Sequence, residues 1–260
     1  MVVKMKNSLK EKLVQGKSVF GTWIMTSGLD TAEILAQVGA DCIMIDIEHG
    51  SMDIETAGRM VSLIKPSGTT PLLRVAGNDI NLIKRGLDTG AEGVMVPMVN
   101  TREEAENLVK YCKYPPAGVR GRGPGRAVLF GSGGGDPEYY AKANDEILVI
   151  VQIEHIEAVE NVYDILSVPG IDIAFIGPMD LTLSMGLYGQ TNHPEVLKSY
   201  ERVVDACKKN NVVPGILTGT GGIKQHLDIG FRFLLGGIDS NILYTGAKAI
   251  VDEFKNLDGR

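Results

Sequence analysis

The amino-acid sequence predicts an α/β fold, a (β/α)8 barrel of the TIM type, and three observations support this prediction. Short apolar runs occur eight times along the 260 residues. Their hydrophobicity is continuous rather than alternating, which is typical of parallel strands that are covered on both faces. Helical patterns separate the runs. Eight such units in about 250 residues are typical of this barrel.

The predicted strands and helices alternate regularly along the chain. The strands are predicted at 19–25, 41–48, 70–75, 93–99, 147–154, 171–178, 212–217 and 231–237. Several helical segments open at Asp or Thr and close at Gly or Asn, which commonly cap helices. A doubly wound sheet is the alternative fold, but it seldom reaches eight units and usually opens with a glycine-rich dinucleotide loop. The first turn, MTSGLDT, contains no such loop.

We predict a single barrel domain spanning residues 1–260, because we find no domain boundary. Residues 115–146 interrupt the regular pattern with a long loop that is rich in glycine and arginine. A connection of this length inside a compact domain is usually a functional loop or a mobile lid. A final helix is predicted at about 241–257.

Composition and charge narrow the classes of function. The hydrophobic content of 44% and the charged content of 22% are typical of a globular protein. A net charge of −6 argues against a nucleic-acid partner, which requires a basic face. No apolar run approaches the roughly 18 residues of a membrane span, and the first residues lack the apolar core of a signal peptide. We therefore expect a cytoplasmic protein without a membrane partner.

Polar residues follow several of the predicted strands. In such barrels the active site lies at the carboxyl ends of the strands, so each of these residues is a candidate. The candidates are Asp46, Glu48 and His49 after strand two, Arg74 after strand three, Gln152 and Glu154 after strand five, and Asp180 after strand six. Alone, such a carboxylate often caps a helix, and a lone histidine beside a turn is more often structural. Together these groups would be costly to bury for stability alone, which favours a functional site.

The chemistry of these side chains suggests a role for each. Glu154 and Asp180 end adjacent strands, so their carboxylates can share one divalent ion, and oxygen ligands favour Mg²⁺ or Mn²⁺ over zinc. Co²⁺ is a further option, and no organic cofactor is expected. Arg74 would meet a developing oxyanion. His49, held by Asp46, would be a general acid or base near neutral pH.

Six motifs extend this argument to a known family. In chain order they are DIEHG, LLRV, GVMVPMV, YPPAGVRG, VQIE and FIGPMDLT. Together they closely resemble the HpcH/HpaI aldolases, metal-dependent class II pyruvate aldolases of the phosphoenolpyruvate/pyruvate barrel superfamily, which include 2,4-dihydroxyhept-2-ene-1,7-dioate and 2-dehydro-3-deoxyglucarate aldolases. The resemblance covers about residues 18–255 and implies an aldehyde-lyase that cleaves a 4-hydroxy-2-oxo acid reversibly to pyruvate and an aldehyde.

The resemblance also implies roles for individual residues. Glu154 and Asp180 would ligate the metal, Arg74 would contact the pyruvate enolate oxygen, and Asp46 with His49 would form the acid–base dyad. A homohexamer with exchanged C-terminal helices is implied as well.

We expect further substrate contacts beside the metal ligands. Arg74, Gln152 and the turn Gly177, Pro178 and Met179 are expected to bind substrate. Two positions depart from the family pattern, since His155 stands where a small or hydroxyl residue is common and Met179 where alanine is common. These changes leave the metal and pyruvate half of the site intact and bear on the half that binds the aldehyde.

Three other functions compete with this one. A Schiff-base aldolase needs a lysine at a strand end, and we find none there. A phosphate-binding barrel isomerase would use TGTGG at 218–222 and LGGID at 235–239, where such barrels hold a phosphate. The third is a non-catalytic barrel that binds sugar acids.

The arginines of the long loop raise one hypothesis about the aldehyde. Arg120, Arg122 and Arg126 suggest that it is anionic or polyhydroxylated, because guanidinium groups favour bidentate carboxylate recognition. For Arg120, structural anchoring of the loop is the alternative.

Overall fold

A computed structural model describes residues 6–134 and 136–258 of the chain. Its eight strands are all parallel and close into a barrel in chain order, which confirms the predicted (β/α)8 class. The strands are β1 Val19–Ile24, β2 Cys42–Asp46, β3 Thr70–Arg74, β4 Gly93–Val96, β5 Leu148–Ile153, β6 Ile173–Ile176, β7 Val213–Thr218 and β8 Phe233–Ile238. Each strand begins no more than two residues from its predicted start.

Helices cover the outside of the barrel and one closes its amino end. They are α1 Ser8–Val14, α2 Leu29–Ala36, α3 Ile54–Ile64, α4 Ile80–Asp88, α5 Arg102–Cys112, α6 Asp136–Glu146, α7 Ile156–Glu160, α8 Val162–Leu166, α9 Pro178–Ser184, α10 Pro194–Asn210, α11 Ile223–Ile229 and α12 Asp239–Leu257. Several begin at side-chain caps, such as Asp53 before α3 and Thr101 in the capping box of α5.

Two apolar layers form the core, one inside the barrel and one between strands and helices. The alternation of side chains along each strand separates them. In β2, Cys42 and Met44 belong to the inner layer, and Ile43 and Ile45 belong to the outer layer. Leu9 of α1 also packs into the inner layer, so this helix plugs the amino end. The opposite, carboxyl end is therefore the open mouth.

The segment predicted as a loop at 115–146 contains regular structure. Arg126–Gly134 is a 3-10 helix and Asp136–Glu146 forms α6. Among the described side chains of α6, Tyr139 and Ala143 are buried, so only a narrow stripe faces the core. A stripe this narrow gives a weak helical pattern in the sequence. The prediction of a long loop therefore needs correction for these two stretches.

Helix α12 stands apart from the rest of the barrel. It begins at Asp239, two residues before the predicted start at about 241, and ends at Leu257 as predicted. Nearly all of its residues are exposed, including large apolar ones such as Leu243, Ile250 and Phe254. Within the described residues, no helix is long and apolar enough to cross a membrane.

Candidate active site at the mouth of the barrel

The inner face of the barrel changes from apolar to polar at the carboxyl ends of the strands. Leu72 of β3 belongs to the inner layer, so Arg74, two residues later, also points into the barrel. Leu148 and Ile150 of β5 are inner residues as well, and Gln152 continues their alternation. The predicted site residues therefore converge because strand geometry turns them toward one mouth.

A buried ion pair between β2 and β3 forms the base of this mouth. Asp46 and Arg74 are partners in the strand register. The Nε and Nη2 atoms of Arg74 donate to the two carboxylate oxygens of Asp46 at 2.9 and 2.6 Å. The indole Nε1 of Trp23 also donates to Asp46, at 3.3 Å, and the guanidinium lies 4.7 Å from the centre of the Trp23 ring. Three strands thus fix the direction of the arginine.

Burial and the pairing with Arg74 shift the pKa of Asp46 in opposite directions. Burial raises the pKa of this carboxyl group, but the hydrogen bonds and charge of Arg74 outweigh burial, so the pKa is lowered from its usual value. Asp46 is fully buried and stays ionised, which keeps the guanidinium charge compensated and oriented.

His49 lies at the mouth, but its contacts differ from the predicted dyad. Its backbone N–H donates to Asp46 at 3.4 Å, beside that of Glu48 at 3.0 Å. Its imidazole Nε2 is 3.8 Å from Glu48 Oε1, and the side chain is 61% exposed. The Asp46 carboxylate is occupied by Arg74 and by these backbone groups. Asp46 therefore orients the backbone of His49, while Glu48 is the carboxylate beside the imidazole ring.

Glu48 is a strand-end candidate without an assigned role, and its carboxylate lies between Arg74 and His49. Its Oε2 lies 3.1 Å from Arg74 Nε. Burial raises the pKa of Glu48, the charges of Arg74 and His49 oppose that rise, and Asp46 and Asp180 add to it. The sequence signal for Glu48 was only its place in DIEHG.

Glu154 follows β5 and is almost completely buried. Its Oε1 accepts a hydrogen bond from the backbone N–H of Met98 at 2.9 Å, and its Oε2 accepts one from the Gln152 side chain. Burial, followed by the negative charges of Glu48 and Asp180, raises the pKa of Glu154 to about 7, although the Met98 hydrogen bond opposes the rise. Three carboxylates thus repel one another here, an arrangement that a bound cation would relieve.

Asp180 lies in the first turn of α9 and is exposed. Its negative charge raises the pKa of Glu48 and of Glu154. Among the described residues, no group of three His, Cys, Asp or Glu side chains is close enough to hold a metal ion together. A site at Glu154 and Asp180 would therefore have two protein ligands, with the remaining positions open to water and substrate. Such open coordination is typical of Mg²⁺ and Mn²⁺.

The turn before α9 fits tightly around Glu154. A Cβ atom at Gly177 would lie 2.7 Å from Glu154 Oε2 and 3.1 Å from Gln152 Nε2, so only glycine fits here without a shift. Pro178 is buried and opens the helix, while Met179 is partly exposed. The expected substrate-contact residues therefore adjoin the metal-ligand candidates directly.

Two residues at the site were not identified by the sequence argument. Met98 has a φ of 53°, in the left-handed region that non-glycine residues rarely adopt, and this turn aims its N–H at Glu154. Trp23 ends the inner row of β1 and holds Asp46. Backbone donors carry no side-chain signal, so Met98 was not detectable. Trp23 is the only tryptophan in the chain, and this offered a weak sequence signal.

The arginines of the Gly/Arg-rich segment lie in other surroundings. The Arg120 side chain is buried, donates to Asp88 at 2.8 Å and covers the Tyr114 ring at 4.5 Å. The guanidinium of Arg122 lies over Tyr140. These contacts correspond to the anchoring alternative for Arg120.

Comparison with known proteins places this geometry in a family. The model of the HpcH/HpaI aldolase/citrate lyase family matches residues 19–245. A 4-hydroxy-2-oxo-heptane-1,7-dioate aldolase of Salmonella paratyphi C (strain RKS4594) is 38% identical over 261 aligned positions, which cover 98% of each chain.

Solved structures give the same result. The HpcH/HpaI aldolase from Desulfitobacterium hafniense DCB-2 superposes with a TM-score of 0.90 at 36% identity, covering 96% of this chain and 97% of that one. A HpcH/HpaI aldolase/citrate lyase family protein from Burkholderia cenocepacia J2315 superposes with a TM-score of 0.91 at 32% identity, covering 96% and 100%.

We expect Gly177→Ala to displace the Glu154 carboxylate, because the added Cβ would overlap it. Loss of the buried hydrogen bonds from Met98 and Gln152 should lower the free energy of unfolding by about 1–3 kcal/mol. Urea denaturation measures this. Gly77→Ala is the control, since a Cβ there meets no atom within 4 Å. Equal unfolding free energies for the two variants would contradict the close fit.

Proposed function

The chain belongs to the HpcH/HpaI aldolase/citrate lyase family and is a carbon–carbon lyase of the aldolase type, and we propose that it cleaves a 4-hydroxy-2-oxo acid reversibly to pyruvate and an aldehyde. The observation that carries this proposal is the buried Arg74, held by Asp46 at the mouth of the barrel beside Glu154. A fixed cation at that place suits the stabilisation of an enolate.

Glu154 and Asp180 are the residues that would hold a divalent ion, Mg²⁺, Mn²⁺ or Co²⁺. The donor set fits, because both are carboxylates and because burial and mutual repulsion raise the pKa of Glu154 in the absence of a cation. When bound, the ion supplies Lewis-acid stabilisation of the negative charge on the 2-oxo oxygen. The buried Oε1 of Gln152 has no hydrogen-bond partner in the described part of the chain, so it can accept from a water or from substrate.

Different side chains serve the different steps of the cleavage. A base takes the proton of the C4 hydroxyl group, the C3–C4 bond breaks, and its electron pair forms the enolate while C4 leaves as the aldehyde. Arg74 faces the developing oxyanion. A proton returned to C3 of the enolate completes pyruvate. The turn of Gly177, Pro178 and Met179 borders the place where the 2-oxo acid would lie.

His49 is our candidate for the base, and Asp46 and Glu48 act on it differently. Asp46 accepts the backbone N–H of His49 and fixes the loop, whereas Glu48 lies beside the imidazole. An exposed imidazole at the mouth can exchange its proton with solvent between turnovers.

The Schiff-base alternative is not supported by the described lysines. Lys113 is buried and its pKa is lowered, chiefly by burial, which is a property of Schiff-base lysines. However, its Nζ donates to the backbone carbonyl of Asn144, and its electrostatic partner Asp172 precedes β6. It therefore belongs to the amino end of the barrel, opposite the mouth.

Removal of divalent metal should abolish aldol cleavage, and added Mn²⁺ or Mg²⁺ should restore it, because two carboxylates make a weak, exchangeable site. The measurement is pyruvate release from a 4-hydroxy-2-oxo acid before and after treatment with a chelator. As a control for the Schiff-base route, borohydride with pyruvate should not inactivate the protein. Full activity in excess chelator would contradict the metal assignment.

His49→Ala and Arg74→Ala should separate the two halves of the reaction. Loss of the base should slow cleavage by about 10²–10⁴-fold yet largely spare exchange of the pyruvate methyl protons, which needs the enolate but not the C4 hydroxyl group. Arg74→Ala should impair both. Deuterium incorporation into pyruvate, measured beside the retro-aldol rate, tests this. Equal loss of exchange and cleavage in His49→Ala would show that His49 serves the enolate step or the fold.

We further propose a cytoplasmic homohexamer that exchanges its C-terminal helices. The apolar face of α12 has no cover within the described chain, and a groove of about 530 Å³ on the outside of β1 and β8 is lined by apolar residues including Phe20, Val38 and Ile223. A helix from a second copy is the occupant that would cover both surfaces.

Phe254→Asp should dissociate the assembly, since it places a charge on the exposed apolar face of α12. Asn256→Asp introduces the same residue at an exposed polar position of the same helix and should leave the assembly intact. Light scattering coupled to gel filtration gives the mass, with six times 28.0 kDa expected for the unmodified protein. A monomeric parent, or an unchanged mass for Phe254→Asp, would refute the exchange.

A further inference from the structure

A second cavity adjoins the candidate active site on the side of β6, β7 and β8. Its volume is about 730 Å³. Pro178 and Met179, which precede the metal-ligand candidate Asp180, form one wall, and the TGTGG loop at 218–222 forms another. The end of β8 and the first turns of α12 complete it. The mechanism proposed above makes no use of this space.

Tyr200 contributes the first polar group of this wall. The side chain is fully buried on α10, yet its hydroxyl group has no hydrogen-bond partner among the described residues. Most buried hydroxyl groups are paired, because an unpaired one has lost water without a replacement. The ring itself is held by Phe231 and His226, at centroid distances of 6.0 and 6.1 Å. An unpaired hydroxyl group on a fixed ring is suited to a ligand.

His226 contributes an acceptor beside this donor. Its Nδ1 lies 2.8 Å from Thr218 Oγ1, and that hydroxyl group donates to the carbonyl of Gly219 at 3.2 Å. Donation of the Thr218 proton to Gly219 corresponds to the tautomer of His226 that carries its hydrogen on Nδ1 and a lone pair on Nε2. Burial lowers the pKa of His226, which keeps the ring neutral. A Cβ at Gly222 would lie 3.1 Å from Thr218 Oγ1, so the loop packs closely around this pair.

The charge of the cavity decides what kind of group it can receive. Neither lysine nor arginine occurs among the described residues that line it. Carboxylates and phosphates are usually held by such cations, so an anionic ligand is not favoured here. Asn192 and Gln225, joined by a hydrogen bond of 3.1 Å, add further uncharged donors and acceptors. The lining suits hydroxyl groups, which both donate and accept.

We propose that this cavity receives the aldehyde portion of the substrate, and that this portion is an uncharged hydroxylated chain. The inference rests on the proposed aldolase function, because it takes Met179 as the border between the 2-oxo acid and the aldehyde. Tyr200 donates to one hydroxyl group of the chain and His226 accepts from it. The relative from Salmonella is named for a 1,7-dioate, whose second carboxylate would find no cation in this cavity.

The test compares three aldehydes in the Mn²⁺-dependent addition to pyruvate: glyceraldehyde, propanal, which has the same carbon chain without hydroxyl groups, and succinic semialdehyde, which is anionic. Glyceraldehyde should give the highest kcat/KM. Tyr200→Phe should lower that value about three- to tenfold, as expected for one neutral hydrogen bond, and leave propanal unchanged. Tyr188→Phe, at an exposed tyrosine, is the matched control and should change nothing.

Two results would overturn the proposal: a preference of the unmodified protein for succinic semialdehyde, or an equal loss for all three aldehydes in Tyr200→Phe. If no aldehyde reacts and the pyruvate methyl protons do not exchange, the aldolase function has failed independently. Saturation-transfer NMR then tests the cavity alone. Contact of glyceraldehyde with the parent and with Tyr188→Phe, lost in Tyr200→Phe, supports the cavity site, and its absence from the parent refutes it.

Discussion

The candidate site depends on one interaction, the buried pair of Asp46 and Arg74 across neighbouring strands. Removing two charges from water costs several kcal/mol for each ion, and only close contact with additional hydrogen bonds offsets that cost. The bidentate contact, the Trp23 donor and the backbone N–H groups of Glu48 and His49 provide them. Because all donors converge on one carboxylate, the guanidinium direction, the DIEHG loop and the end of β1 are fixed together.

The same constraint explains why the neighbouring carboxylates are destabilised. Asp46 accepts two hydrogen bonds from Arg74. The charge of the guanidinium also opposes the rise in the pKa of Glu48 and of Glu154, but burial outweighs it. Burial and mutual repulsion therefore raise the pKa of Glu154 to about 7, although the Met98 N–H stabilises its ionised form. On our proposal, a bound divalent ion supplies the further positive charge that relieves this repulsion.

The sequence predicted the barrel well because strand hydrophobicity and helix caps are local signals. The inward positions of the candidate residues on strands were also predictable, since the period of two turns Arg74 and Gln152 inward with their apolar neighbours. Contacts made by backbone groups were not predictable from the sequence. Met98 contacts Glu154 through its N–H, and the His49 ring lies beside Glu48, while Arg74 occupies the Asp46 carboxylate. The helix α6 was missed because its buried stripe is narrow.

The two halves of the mouth differ in how they are built, and this difference bears on specificity. The half that we propose for the enolate stands on β2, β3 and β5, where buried hydrogen bonds hold Arg74 and Glu154. The other half consists of turns and helix starts, where Met179, the TGTGG loop and α12 meet around neutral groups. Loops on a fixed barrel can change without disturbing the strands that carry the chemistry. On our proposal, Met179 and Tyr200 therefore lie where one chain of the family can differ from another in its aldehyde while the pyruvate half remains the same.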